Sequence, residues 1–152
     1  LQYFGGSLEK ARTANALSGM HTRRIAEEGV SAGDLCRQAA ERLFAALGEE
    51  AQKVRDEIDV IAFVSQNPDY LLPATASLLQ HELGLSSGCA ALDMNSGCAG
   101  FIHGLWMLSG MVASGACRKA LLLVGDTPGR FLNPENRVTT PLFGDARPAT
   151  FL

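Results

Sequence analysis

The chain has 152 residues, is 47% hydrophobic and carries a net charge of −3. That is enough apolar material for the packed core of one ordinary domain, or of a substantial piece of a larger one, and it argues against disorder. The mildly acidic balance, 13 Lys and Arg against 16 Asp and Glu, gives no reason to expect nucleic acid or an anionic membrane as partner.

Residues 1–30 carry few signals. Gly5-Gly6 breaks the start, Leu8 to Leu17 reads as helix, Gly19 marks a turn, and Arg23 to Ala26 reads as extended. The N-terminal Leu1-Gln2-Tyr3 has no basic-then-apolar segment of the kind that opens a cleavable leader. It does not begin with Met, so the chain reads as trimmed. A clearer signal starts at Ser31, where Ser31 and Asp34 form a capping-box-like pair. Leu35, Ala39, Leu43 and Leu47 follow at intervals of four, with Cys36, Ala40 and Phe44 beside them, and Gly48 ends this amphipathic helix. Glu49 to Glu57 reads as a charged, solvated connection.

Asp59 to Ser65 is short, β-branched and continuously apolar, as expected of a strand buried on both faces of a parallel sheet. Gln66 to Leu72 is a loop. Pro73 is placed to open a helix lined by Leu78, Leu79 and Leu83 and closed by Gly84. Ala90 to Met94 is a second strand, Cys98 to Ala113 a second long helix, and Lys119 to Gly125 a third buried strand. Helices alternating with strands imply an α/β fold with right-handed crossovers. Asp126 to Leu142 is a long loop of the kind that often carries function. The chain ends within a further apolar stretch, Ala149 to Leu152, and the natural polypeptide is expected to continue.

The 24 residues from Met94 to Cys117 contain no Asp, Glu, Lys or Arg, long enough to raise a transmembrane reading. Asn95, Ser96, His103, Ser109, Ser114 and five glycines interrupt them, and a helix buried inside a soluble core fits better. Phe101 and Trp106 are assigned to that core. The cysteines, Cys36, Cys89, Cys98 and Cys117, form no Cys-x-x-Cys pair, and the three histidines do not join them at metal-ligand spacing. The expectation is no metal and a reduced, cytoplasmic compartment.

Cys98 lies in a small-residue turn, Ser96-Gly97-Cys98-Ala99-Gly100, between a strand and a helix. Thiols react as thiolates, and the partial positive charge of a helix N-terminus favours that form. The Cys98 N–H is placed to act as an oxyanion donor. Local sequence leaves two readings open, a nucleophile and a buried, inert thiol. No partner base is evident: His103 reads as a core or pocket-lining residue turned away from Cys98, His81 as a solvated surface residue, and His21 falls in the poorly patterned start.

An ordered series of segments resembles the ketosynthase III family, the 3-oxoacyl-acyl-carrier-protein synthase III enzymes of the thiolase superfamily. The series runs through Thr22-Arg23-Arg24-Ile25-Ala26, the strand Asp59 to Ser65, Leu72-Pro73, Ala91-Leu92-Asp93 and Ser96-Gly97-Cys98-Ala99-Gly100-Phe101. It continues through Ser114-Gly115, Lys119 to Gly125, Asn133-Pro134-Glu135-Asn136-Arg137 and Leu142-Phe143-Gly144-Asp145. The resemblance implies that residues 1–152 form the N-terminal half-domain of a duplicated α-β-α-β-α layered fold, with the C-terminal half absent, and usually a homodimer.

It implies further that Cys98 takes an acyl group from acyl-CoA or an acyl carrier protein thioester, with no permanently bound cofactor. A carbanion from decarboxylating malonyl-acyl carrier protein then attacks the acyl-enzyme, in fatty-acid, polyketide or related biosynthesis. The family's catalytic His and Asn belong to the C-terminal half, so this chain alone is expected to be inactive. Arg137 matches an arginine that helps hold CoA, with a surface arginine the plain alternative. Asp145 reads as structural. The same resemblance leaves two alternatives open: acyl transfer to an oxygen or nitrogen acceptor, and a non-catalytic fragment or dimer partner.

The departures are specific. The family's glycine-containing first strand is missing or altered. No Trp stands in Ala11 to Ser18, and Leu17 stands near the family's CoA-clamping Arg. Leu72 replaces a usually aromatic residue that reaches into the partner's acyl pocket. The family's Gly-Asp-Gly-Ala-Gly becomes Gly144-Asp145-Ala146-Arg147-Pro148, and Pro148 removes a backbone donor. These changes imply a specialised family member more than the housekeeping fatty-acid initiator.

Overall fold

The computed structural model describes residues 5–20, 22–133, 136, 139 and 142–152. His21 and Arg137 lie outside the described residues. The chain divides into two compact units: residues 30–126 with 146–152, and residues 1–29 with 127–145.

The larger unit is a three-layer α/β structure. Its helices are α2 (Ala32–Ala46), α3 (Ala51–Glu57), α4 (Thr75–Glu82) and α5 (Gly100–Ala113), counted after α1 of the smaller unit (Leu8–Ser18). Its strands are β1 (Ile58–Ser65), β2 (Ala90–Asn95), β3 (Lys119–Val124) and β4 (Ala149–Phe151). The sheet order is β2-β1-β3-β4. The first three strands are parallel, and β4 runs antiparallel to β3. The order helix, strand, helix, strand, helix, strand predicted by periodicity is therefore present.

Alternation along the strands divides the core in two. Ile58, Ile61, Phe63, Leu121 and Leu123 pack with Phe44 of α2 and Leu79 of α4 on one face. Val60, Ala62, Val64, Ala120 and Leu122 pack with Leu108 of α5 on the other. Both faces of β1 and β3 are buried, which is why these strands read as unbroken apolar runs. Paired charges close the amino ends: Arg118 holds the Asp59 carboxylate through Nε and Nη2, and Lys119 Nζ lies 2.6 Å from Glu57. The Arg118 bonds hold the Asp59 carboxyl down to about 2.

Helix α2 starts as its sequence dictates. The Ser31 Oγ accepts from the Asp34 N–H, and the Asp34 carboxylate accepts from the Ser31 N–H, each at 3.0 Å. Helix α4 has no cap of its own, because Ala74 stands at the N-cap. The Asp93 carboxylate of β2 supplies one, accepting from the Thr75 and Ala76 N–H groups at 2.7 and 2.8 Å.

Three expectations are corrected. The stretch expected to be a solvated connection, Glu49 to Glu57, contains α3, and its Val54 packs on the core. Helix α4 begins two residues after Pro73, not at it. Helix α5 begins at Gly100, which places Cys98 in the preceding turn.

Within the smaller unit, Asp145 ties distant segments together. Its carboxylate accepts from the N–H groups of Ala26 and Gly129, and its own N–H donates to the Arg24 carbonyl at 2.8 Å. A Cβ on Gly144 would stand 3.1 Å from the Arg24 carbonyl oxygen. Asp145 thus has the structural role read from the sequence. Residues Arg23 to Ala26, expected to be extended, form no strand.

Candidate functional site

The site lies where β2 hands over to α5. After Asn95 the chain turns through Ser96 to Ala99, and Ala99 is the N-cap of α5. The Gly100 N–H donates to the Gly97 carbonyl at 2.7 Å, and the His103 N–H to the Ala99 carbonyl at 3.0 Å. Cys98 projects from this turn and is exposed. Its N–H donates to none of the described residues, leaving a donor beside the thiol.

Two glycines hold the start of α5 against the sheet. A Cβ on Gly100 would stand 2.6 Å from Val64 Cγ1, and one on Gly104 would stand 2.7 Å from Leu122 Cδ1. One helical turn apart, they let the helix backbone sit on β1 and β3 with no side chain between. Gly97 has no positive φ, and a Cβ there would stand in ordinary contact with Gln66 Oε1, at 3.4 Å.

The other three thiols are buried. Burial, with Asp69 and Asp126 nearby, pushes the Cys36 thiol up to about 12. Burial also pushes Cys89 up to about 11 and raises Cys117. These groups are neutral and shielded at neutral pH, as expected of core thiols. The chain therefore separates one exposed thiol at a helix start from three inert ones. Cys98 is therefore not the buried thiol of the alternative reading.

At the carboxyl ends of β1 and β2 lies a cleft of about 170 Å³ lined by Phe63, Ser65, Pro68, Tyr70, Leu71, Asp93, Met94 and Asn95. Cys98 is not among its lining residues. Leu71 and Leu72 are 91% and 89% exposed on the adjoining loop.

The expectation that α5 is enclosed is overturned. Gly100, Gly104 and Leu108 are its buried positions, whereas Phe101, Ile102 and Trp106 are exposed, Trp106 by 79%. His103 is exposed rather than core, and it makes no hydrogen bond to Cys98. The helix is apolar on every side, but the sheet covers only one. His81 is exposed, as read from the sequence. Among the described residues no group of His, Cys, Asp or Glu could hold a metal, and no helix is long and apolar enough to cross a membrane.

The sequence reading missed the caps and struts around the thiol. Asp93 was visible only as part of a resembling segment, and Gln66 only as a loop residue. The Gly100 and Gly104 spacing was the one local signal available.

A thiol in a strand-to-helix turn at the carboxyl end of a parallel sheet is an α/β arrangement able to present a nucleophile. The comparisons with known proteins agree. The model of the 3-oxoacyl-[acyl-carrier-protein] synthase III family matches residues 92–152. A Campylobacter jejuni protein assigned as a 3-oxoacyl-[acyl-carrier-protein] synthase 3 is 33% identical over 149 residues, which is 98% of this chain and 41% of that protein. The crystal structure of a 3-oxoacyl-(acyl-carrier protein) synthase from Burkholderia xenovorans LB400 superposes with a TM-score of 0.88 at 44% identity. It covers 96% of this chain and 41% of that one. AbyA1, a tetronic acid condensing enzyme, matches with a TM-score of 0.80 at 28% identity, over 99% of this chain and 48% of that one.

Sequence and fold thus make the chain similar to 3-oxoacyl-acyl-carrier-protein synthase III proteins, whose thiolase-type fold it shares over an extent consistent with an N-terminal half. The chain spans about 41% of the length of the curated relative it matches.

Proposed function

We propose that this chain carries the acyl-accepting half of a ketosynthase III-type active site, with Cys98 as nucleophile. The observation that carries the reading is the selective exposure of Cys98 at the start of α5, beside an N–H without a described acceptor, while Cys36, Cys89 and Cys117 are buried. In the first step the Cys98 thiolate adds to the carbonyl carbon of an acyl thioester, acyl-CoA or acyl carrier protein. The carbonyl oxygen takes the negative charge next to the Cys98 N–H. The tetrahedral adduct collapses, the C–S bond to the carrier breaks, and the carrier thiolate leaves and takes up a proton. In the second step malonyl-acyl carrier protein loses CO2, its α-carbon forms a bond to the acyl carbon, and the Cys98 thiolate is released. The groups that manage this step belong, by the family resemblance, to a C-terminal half. On this reading no permanent cofactor is needed.

Residues 1–152 act here as the N-terminal half-domain of a homodimeric, cytoplasmic enzyme, and Arg137 helps to hold CoA. The exposed Leu71 and Leu72 favour a loop that meets a partner subunit. The departures at residues 11–18, 72 and 144–148 favour a specialised member, and the similarity to AbyA1, a tetronic acid condensing enzyme, fits a condensing reaction. The test is intact mass spectrometry of the full-length protein, C-terminal half included, after incubation with acetyl-CoA and with a longer acyl-CoA. One acyl group per chain is expected on the wild type and none on Cys98→Ala. An unchanged wild type, or an acylated Cys98→Ala, would overturn the assignment.

A further inference from the structure

Three strands deliver their carboxyl ends side by side: β2 runs into the Cys98 turn, β1 ends at Ser65, and β3 leads to Asp126. Gln66, the first residue after the middle strand, lies between the ends of its two neighbours. On one side the Asp126 carboxylate accepts from the Ser65 hydroxyl at 2.8 Å, the Gln66 N–H at 3.0 Å and Gln66 Nε2 at 3.4 Å. Asp126 is itself fixed, since its N–H and carbonyl both pair with Ala146 at 3.2 Å, and the Gly125 N–H donates to the Val64 carbonyl at 3.0 Å. On the other side, Gln66 Oε1 stands 3.4 Å from where a Cβ of Gly97 would lie, one residue before the thiol.

We infer that Gln66 is a positioning residue for Cys98. Its carboxamide, tethered by the Asp126 carboxylate, sets how far the Gly97 side of the turn can settle toward β1, and so where the thiol and its N–H sit. A Cβ at position 97 would stand in ordinary contact with the amide. The inference rests on Cys98 being the acyl acceptor, so its test includes a readout that does not depend on acyl transfer.

The test compares wild type, Gln66→Ala and Gln66→Met, the last keeping the length of the side chain but not its donor. Acetyl-CoA supplies the acyl group, and peptide-resolved iodoacetamide labelling reports all four thiols. Both variants are expected to lower the saturating acylation rate about tenfold, with the half-saturating acetyl-CoA concentration unchanged within about twofold. Cys36, Cys89 and Cys117 are expected to stay unlabelled. Wild-type rates in Gln66→Ala, or full activity in Gln66→Met, would overturn the inference. So would labelling of the buried thiols, which would trace the loss to unfolding. If the wild type takes up no acetyl group, the acyl-transfer reading fails and Cys98 alkylation decides the positioning role. A change of about threefold in both variants then upholds it, and equal rates overturn it.

Discussion

The two faces of the sheet are built by different means. On the α2–α4 face, amphipathic helices lay large side chains into the core, and Phe44 is enclosed between the Arg55 guanidinium, 3.8 Å from its ring centroid, and the Phe151 ring at 5.4 Å. On the α5 face the helix meets the sheet through Gly100 and Gly104, and its outer side leaves Phe101, Ile102 and Trp106 in solvent. One face is fixed by burial of apolar volume and the other by close backbone approach, and the reactive thiol belongs to the second. Stability and reactivity should therefore be separable by mutation.

The largest effect is expected on the closed face. Phe44→Ala removes a fully buried ring and should cost about 3–5 kcal/mol in chemical denaturation, while Cys98 in the molecules that remain folded keeps its wild-type labelling rate. A comparable loss of Cys98 reactivity in the folded state would break the separation. On the α5 face, Gly104→Ala drives a methyl into Leu122, which is itself fully buried. Overpacking outweighs the gain in helix propensity, for a net loss of about 1–2 kcal/mol, and Cys98 acylation falls out of proportion to that loss. A stabilised, fully reactive Gly104→Ala would show that α5 can shift freely.

The smallest effect lies at the far end of the sheet. Because Arg118 depresses the Asp59 carboxyl to about 2, below its unfolded value of about 4, this pair contributes stability above pH about 4 that is lost as the pH falls toward 2. Asp59→Asn should flatten that part of the acid-side dependence of the urea midpoint and leave Cys98 labelling at neutral pH unchanged.

The sequence was most legible where the physics is local. The Ser31–Asp34 capping box, the period-four face of α2, and the apolar runs of β1 and β3 each report a single element, and each appears where periodicity puts it. α3 was missed because seven residues, Ala51 to Glu57, are too few for a periodic face, and their charge suits a loop equally well. The enclosed α5 failed for a different reason: a helix apolar on all sides does not state which side the sheet will take. The contacts around Cys98 were invisible because they join residues far apart in sequence, as Gln66 and Asp126 are. No spacing rule connects them until the parallel sheet brings their strands together.

The most direct test of the central claim is to find where the acyl group goes. Wild-type protein treated with an acyl-CoA, digested and sequenced by mass spectrometry should carry a hydroxylamine-labile acyl group on Cys98 alone, and that modification should block iodoacetamide at the same residue. An acyl group on Cys36, Cys89, Cys117 or a lysine, with Cys98 still open to alkylation, would contradict it.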